Sequence, residues 1–188
     1  MDAYVYLRVA PGKVEDVVIA LRGARGVRHA IAVVGEWDIM AAVEGTDFQQ
    51  VADTVLRRIQ PIDGVLRTVT TPVVPLEMLG IHRGGWVLPT IPMHREGEAS
   101  YVHIRGGAGS VIGIVEALAE LDSISGVAVV AGPYDVLAEI PLPWEQAAAV
   151  ILEQIHVIPG VLTTSTAVAV TEFLGPEEED RDKFSAWT

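Results

Sequence analysis

The feature that most constrains the fold of this chain is that it repeats itself. Tyr4-Val5-Tyr6-Leu7-Arg8 returns 97 positions later as Tyr101-Val102-His103-Ile104-Arg105. Gly35-Glu36-Trp37-Asp38 returns as Gly132-Pro133-Tyr134-Asp135 at the same offset, and Ile62-Asp63-Gly64-Val65 returns as Ile158-Pro159-Gly160-Val161 at an offset of 96. Three matches in one order, kept in step by small loop insertions, make the chain two copies of one module. A repeat of this kind decides the architecture before any local reading does.

Periodicity inside the copies gives the module its elements. Val14, Val17, Val18 and Leu21 fall on one face of a helix, and Val111, Ile114, Val115 and Leu118 repeat that spacing. A second helix follows in each copy, through Phe48, Val51, Ala52, Val55 and Ile59, then through Trp144, Ala147, Ala148, Ile151 and Ile155. Thr46 with Gln49 forms a capping box for the first of these, and Pro143 suits the first turn of the other. Val5, Leu7 and Val9 alternate with Tyr4, Tyr6 and Arg8, the period of a half-buried strand. Val27–Val34 and Ile39–Val43 read as a hairpin, and Val65–Val74 as a last strand.

The order in each copy is therefore strand, helix, strand, strand, helix, strand. This is the α+β, ferredoxin-like βαββαβ unit, an antiparallel sheet with both helices on one face. The expected organisation is a first module over 1–75, a linker over 76–99, a second module over 100–171 and an acidic tail over 172–188. Helices leave one sheet face bare, and along the first strands that face carries Tyr4, Tyr6, Arg8 and Tyr101, His103, Arg105. Aromatic and arginine side chains suit buried association surfaces. The two sheets are thus expected to pack face to face as a pseudo-dimer within one chain. The linker is apolar for a tether, so it is expected to wrap along the modules with Trp86 and Leu88 docked, either as a crossover or as a lid over a pocket.

Composition narrows the chemistry. Thirteen Lys and Arg face 25 Asp and Glu, a net charge of −12, and no basic cluster exceeds Arg57-Arg58, which argues against direct nucleic-acid binding. Cysteine is absent, which removes disulfides, thiol nucleophiles and zinc thiolates and fits a cytoplasmic protein. No apolar run approaches the roughly 20 residues of a membrane span, and Met1-Asp2-Ala3-Tyr4 does not open a secretion signal. His29, His82, His94, His103 and His156 are scattered without metal-ligand spacing, and an enzyme reading would rest on one of them, His103 or His156, as an acid–base group or haem ligand in a cleft. Gly106-Gly107-Ala108-Gly109-Ser110 lacks the lysine of a phosphate loop and reads as a plain loop. No catalytic residue, metal or cofactor is expected.

The Gly-x-aromatic-Asp hairpins admit two readings. Gly35 and Gly132 supply turn freedom, and Asp38 and Asp135 either tie down their own turns or present a carboxylate to a ligand walled by Trp37 or Tyr134. The full pattern of hairpin, helix, Ile-x-Gly-Val and threonine-bearing final strand resembles the effector-binding domain of the Lrp/AsnC regulators. It occurs twice, over Val33–Ile39 with Ile62–Thr70 and over Ala131–Val136 with Ile158–Thr166.

The resemblance implies a non-enzymatic domain that dimerises through its sheets, assembles further and binds an amino acid or related metabolite near the hairpin loops. The implied effector residues are Gly35, Glu36, Trp37, Asp38, Thr68, Thr70, Gly132, Tyr134, Asp135, Thr164 and Thr166. The threonines also read as ordinary strand formers. The regulators carry a helix-turn-helix ahead of this domain, and with a first strand starting at Tyr4 no space for one is expected here. That leaves a free-standing sensor with a small-molecule partner, a homo-oligomer or a subunit of another regulator, or an enzyme resembling the haem-pathway decarboxylases built on Lrp-like domains. A direct nucleic-acid or membrane partner is not expected.

Overall fold

Along β1 (Asp2–Val9), Ala3, Val5, Leu7 and Val9 enter one core while Tyr4 and Tyr6 enter another, as the two-residue period requires. The computed structural model describes residues 1–79 and 98–170. After β1 come α1 (Val14–Gly23), β2 (Val27–Val34), β3 (Ile39–Glu44), α2 (Phe48–Thr54) and β4 (Val65–Val74). The same order recurs as β5 (Ser100–Gly106), α3 (Val111–Ala119), β6 (Gly126–Val130), β7 (Val136–Ile140), α4 (Trp144–Val150) and β8 (Val161–Ala169). The expected docking of Trp86 and Leu88 and the acidic run Glu177–Asp180 lie outside the described residues.

Each copy forms an antiparallel sheet, β4-β1-β3-β2 and β8-β5-β7-β6, and the bare faces of the two sheets meet. Their edges also join. Val33 and Val34 of β2 pair with Ala169 and Val168 of β8, and Val73 and Val74 of β4 pair with Val130 and Val129 of β6. The result is a closed eight-stranded barrel, so the edge strands at both seams find partners within the chain. Tyr4, Tyr6, Met40, Tyr101 and Leu137 are fully buried in its interior. The helix-facing cores hold Val17, Leu21 and Ile59 in one copy and Ile114, Leu118 and Ile155 in the other. The outermost members of the bare rows, Arg8 and Arg105, are exposed.

Three local features differ from the sequence expectation. The N-cap of α2 is Asp47, whose carboxylate accepts from Gln50 N at 2.9 Å, while Gln50 Oε1 accepts from Thr46 N at 2.7 Å. The box is thus shifted by one residue, because a carboxylate is the better cap. Pro143 occupies the N-cap of α4 rather than its first turn. Both α2 and α4 end in a π-helical turn, Val55–Ile59 and Ile151–Ile155, closed by Gln60 N to Val55 O and His156 N to Ile151 O at 2.9 Å each.

The repeated aspartates act where the strands break register. Arg8 pairs with Arg67 but Val9 with Val65, leaving Leu66 as the bulged residue; Arg105 pairs with Thr163 and Gly106 with Val161, leaving Leu162. At each bulge an aspartate from the neighbouring hairpin accepts the backbone N–H, Asp38 Oδ2 from Val9 N at 2.9 Å and Asp135 Oδ2 from Gly106 N at 2.8 Å. Asp38 N and Asp135 N in turn donate to Leu7 O and Ile104 O. Asp135→Ala removes the acceptor of a part-buried N–H and is expected to cost about 1–3 kcal/mol in urea denaturation. Asp135→Asn, which keeps an oxygen, should cost less; an alanine variant as stable as the parent would show that the clamp contributes nothing.

Candidate functional site

The two hairpins, 97 residues apart in sequence, meet at one end of the barrel interior. Trp37 and Tyr134 hold equivalent places at the hairpin tips and are 6% and 4% exposed. Tyr6 and His103, equivalent on β1 and β5, lie between them: the Tyr6 ring is 6.0 Å from Trp37, 5.1 Å from His103 and 6.1 Å from Tyr134, and His103 is 4.6 Å from Tyr134. The Tyr134 hydroxyl donates to Glu36 Oε2 at 2.5 Å, a bond from one hairpin to the other. The cluster therefore draws on both copies and exists only when the sheets face each other.

Its polar atoms are incompletely satisfied. Tyr6 Oη, Trp37 Nε1 and His103 Nε2 are buried without a hydrogen-bond partner among the described residues, where buried polar groups normally have one. His103 Nδ1 lies 3.2 Å from Ser165 O, which can only accept, so Nδ1 carries the proton and Nε2 presents a lone pair. Burial pushes the His103 pKa down to about 4, against a smaller upward pull from the Ser165 carbonyl and the Glu36 charge, so the ring is neutral at neutral pH. Burial likewise raises the Tyr6 phenol well above its usual range, with Tyr4 and Tyr134 adding to the effect. The Tyr134 phenol is raised by burial and by its bond to Glu36, offset in part by the nearby Trp37 indole, whose N–H does not reach bonding geometry.

Arginines rim this cluster. The guanidinium carbons of Arg8 and Arg67 each stand 5.7 Å from the Trp37 ring, and that of Arg105 stands 5.7 Å from Tyr134. Arg8 is 3.4 Å from the Asp38 carboxylate, and Arg105 Nε donates to Pro133 O at 2.7 Å. Arg67 meets no carboxylate among the described residues. Its counterpart in the second copy is Thr163, and Glu36 is matched there by Pro133. Beyond the Arg8–Asp38 pair, the first copy thus adds Arg67 and Glu36 to the rim, whereas the second adds Arg105, bonded to a backbone carbonyl.

Of the residues expected at the site, Glu36, Trp37 and Tyr134 come together here. Gly35 has ordinary φ; a Cβ on it would stand 2.7 Å from Thr166 O, so glycine is required by close approach to β8 and not by turn freedom. Gly132 also lacks a positive φ, and its Cβ would meet the Thr71 side chain at 3.3 Å. The threonines face the other way. Thr68 and Thr70 stand opposite Leu7 and Val5, and Thr164 and Thr166 opposite Ile104 and Val102, sharing their helix-facing side. Thr68 Oγ1 accepts from Gln60 Nε2 at 2.9 Å, and Thr164 Oγ1 bonds His156 Nε2 at 2.8 Å, tying the end of each π turn to its strand.

Tyr6, His103 and Arg67 were not among the expected effector residues, although an enzyme reading would rest on His103. The alternation of β1 and β5 places the first two on the bare face, beside the aromatic hairpins. Arg67 becomes visible only through the register that sets it opposite Arg8. Elsewhere in the interior, buried Glu139 accepts from Tyr101 Oη at 3.3 Å and Ser125 Oγ at 2.8 Å; its counterpart in the first copy is Ala42. Among the described residues no group of His, Asp and Glu is arranged to hold a metal ion, and no helix is long and apolar enough to cross a membrane.

Known proteins resemble the chain in part of its sequence and in its fold. The family model of the Lrp/AsnC ligand binding domain matches residues 2–75. A protein of Thermus thermophilus, TTHA0845, is 34% identical over 39% of this chain and 92% of its own, with a TM-score of 0.38. The siroheme decarboxylase NirDL is similar in fold over 90% of this chain and 71% of its own, at 11% identity and a TM-score of 0.65. The NirDL complex with an iron-uroporphyrin III analogue gives 10% identity, the same coverage and a TM-score of 0.63. No curated protein matches the sequence.

A buried neutral histidine makes stability depend on pH. The unfolded chain binds a proton near the ordinary value of 6.5 and the folded chain only near 4, so the unfolded state holds more protons between those values. Stability should therefore be full above pH 6.5 and fall as the pH drops toward 4, by up to about 3 kcal/mol. Urea denaturation of the parent and of His103→Gln across this window should show a steeper loss in the parent. Parallel curves would place the ring in water.

Proposed function

Since the chain belongs, through residues 2–75, to the Lrp/AsnC ligand binding domain family, we propose that it is a non-enzymatic effector-binding module. In this reading it takes an amino acid or related small metabolite at the joined hairpins. The observation that carries the proposal is the cluster of Trp37, Tyr6, His103 and Tyr134, in which three buried polar atoms have no partner among the described residues, while Arg67 stands over the Trp37 indole and Glu36 accepts the Tyr134 hydroxyl. An α-amino carboxylate has the matching pair of charges: its carboxylate suits Arg67, its ammonium suits Glu36, and an apolar side chain suits the aromatic wall. Asp38 and Asp135 then serve by holding the hairpins to β1 and β5. Gly35 and Gly132 keep them close to the opposite sheet. Thr68, Thr70, Thr164 and Thr166 act from the helix side, as supports of the strands.

A thermal-shift screen of the full chain against amino acids and related carboxylates should find a stabilising compound, since a ligand at about 100 times its Kd adds roughly 2.7 kcal/mol. Arg67→Ala and Glu36→Gln, both at exposed positions, should remove that shift and leave the ligand-free melting temperature close to the parent's. A screen without any hit, or a hit indifferent to both substitutions, would defeat the reading.

The fold likeness to NirDL over most of the chain favours one second reading, an enzyme acting on a tetrapyrrole. Iron porphyrin added to the protein would then shift its Soret absorption, and His103→Gln would abolish the shift. An unchanged spectrum would remove this reading.

A further inference from the structure

Tyr6 and His103 stand at equivalent places in the two copies, and the exchange of a phenol for an imidazole gives their shared cluster a chemical polarity. Five buried side-chain polar atoms lack a hydrogen-bond partner among the described residues, and three of them, Tyr6 Oη, Trp37 Nε1 and His103 Nε2, lie in this one cluster. Tyr6 joins the other two, with ring centres 6.0 Å from Trp37 and 5.1 Å from His103. By contrast, the neighbouring hydroxyls of the interior are engaged, Tyr101 Oη on Glu139 and Tyr134 Oη on Glu36.

What each of the three atoms can do is fixed. The indole N–H only donates, and burial keeps the Tyr6 phenol protonated, with its O–H to give. His103 Nδ1 faces Ser165 O at 3.2 Å and keeps the ring proton, so Nε2 only accepts. Two tyrosines at these positions would supply no atom restricted to accepting. The cluster therefore presents two donors and one acceptor. A hydroxyl has the complementary set, two lone pairs and one O–H. A carboxylate would set its oxygens against the Nε2 lone pair and bury a charge. A carboxamide brings two N–H donors to one obligate acceptor. A methyl group leaves all three atoms unpaired, which is costly in a buried site.

We propose that the effector carries a side-chain hydroxyl, which donates to His103 Nε2 and accepts from Tyr6 Oη and Trp37 Nε1. This rests on the reading above, in which the charged groups of an amino acid meet Arg67 and Glu36, and adds what the inner end of that molecule must be. Tyr6 and His103 are then the specificity-determining residues, one contributed by each copy. The apolar stem of the side chain packs against the rings, and the hydroxyl pairs the buried atoms.

Isothermal titration calorimetry of the full chain with matched amino acids tests this: threonine against valine, homoserine against norvaline, and tyrosine against phenylalanine. In the pair whose length suits the site, the hydroxyl member should bind at least about 10-fold more tightly. Asparagine should bind more weakly than homoserine. Tyr6→Phe and His103→Phe should each bring the ratio within the pair toward 1, with cooperative urea unfolding as the check that they are folded. The ratio in the parent needs no substitution, so it decides the matter even where a variant is unstable. Members that bind alike in every pair, as when an ordered water serves the three atoms, would overturn the inference while amino-acid binding stood. So would tighter binding of the apolar member or of asparagine, or a preference that both substitutions leave intact. If no amino acid binds, or if binding ignores Arg67→Ala, the effector reading itself fails and this inference falls with it.

Discussion

Everything in this molecule depends on two bare sheet faces covering each other. A βαββαβ sheet with both helices on one side leaves its other side in water, and here that side carries Tyr4, Tyr6 and Met40 in one copy and Tyr101, His103 and Leu137 in the other. Burying Met40 or Leu137 contributes about 1.5–3 kcal/mol each, and the aromatic rings add more area still. The seams that close the barrel are short, two register pairs at β2–β8 and two at β4–β6. Backbone pairing at the seams is therefore the lesser force. It aligns the sheets, and the side chains between them hold them together. Joining the copies in one chain makes this contact intramolecular, so it forms at an effective concentration that separate subunits would not reach.

The sequence made the element order, the duplication and the division of each strand into two faces legible, because all three rest on periodicities of 2 and 3.6 residues. It did not show which way the threonines of β4 and β8 point. Thr68 and Thr70 alternate with Val69 in any register, and only the pairing of Thr68 with Leu7 assigns them to the helix side. The purpose of Gly35 was hidden for a related reason: its missing Cβ makes room for Thr166 O, which comes from the other end of the chain. Asp38 and Asp135 looked like turn residues or ligand residues, and they are clamps on a bulge in a neighbouring strand. Bulges leave no periodic trace when a single leucine is added. The π turns were equally silent, since Leu56 and Leu152 interrupt neither apolar stripe.

What the copies share and where they part separates scaffold from function. Shared are Asp38 with Asp135, the bulged Leu66 with Leu162, and Gly64 with Gly160, whose φ values of +95° and +93° fit glycine alone without strain. Each of these meets a demand of the backbone, and the backbone is the same in both copies. Glu36 against Pro133, Arg67 against Thr163, Tyr6 against His103 and Ala42 against Glu139 meet no such demand, and there the copies differ. The hairpin cluster is for this reason lopsided as a candidate site. Its aromatic floor is built by both halves, while Arg67 and Glu36 stand on one.

That lopsidedness has a consequence for coupling. A group that satisfied both Tyr6 Oη and His103 Nε2 would touch β1 and β5 together, and so would bind only while the sheets are apposed. Its binding energy would add directly to the free energy of closure, which is the linkage expected of any ligand that recognises the folded state alone. Glu36 would feel the same event, because its carboxylate already accepts the Tyr134 hydroxyl across the hairpins. An ammonium arriving at Glu36 competes with that bond or shares it, and either outcome alters how firmly the second hairpin is held to the first. Since the Tyr134 phenol is itself held protonated by burial and by Glu36, the bond persists through the neutral range and keeps the hairpins joined.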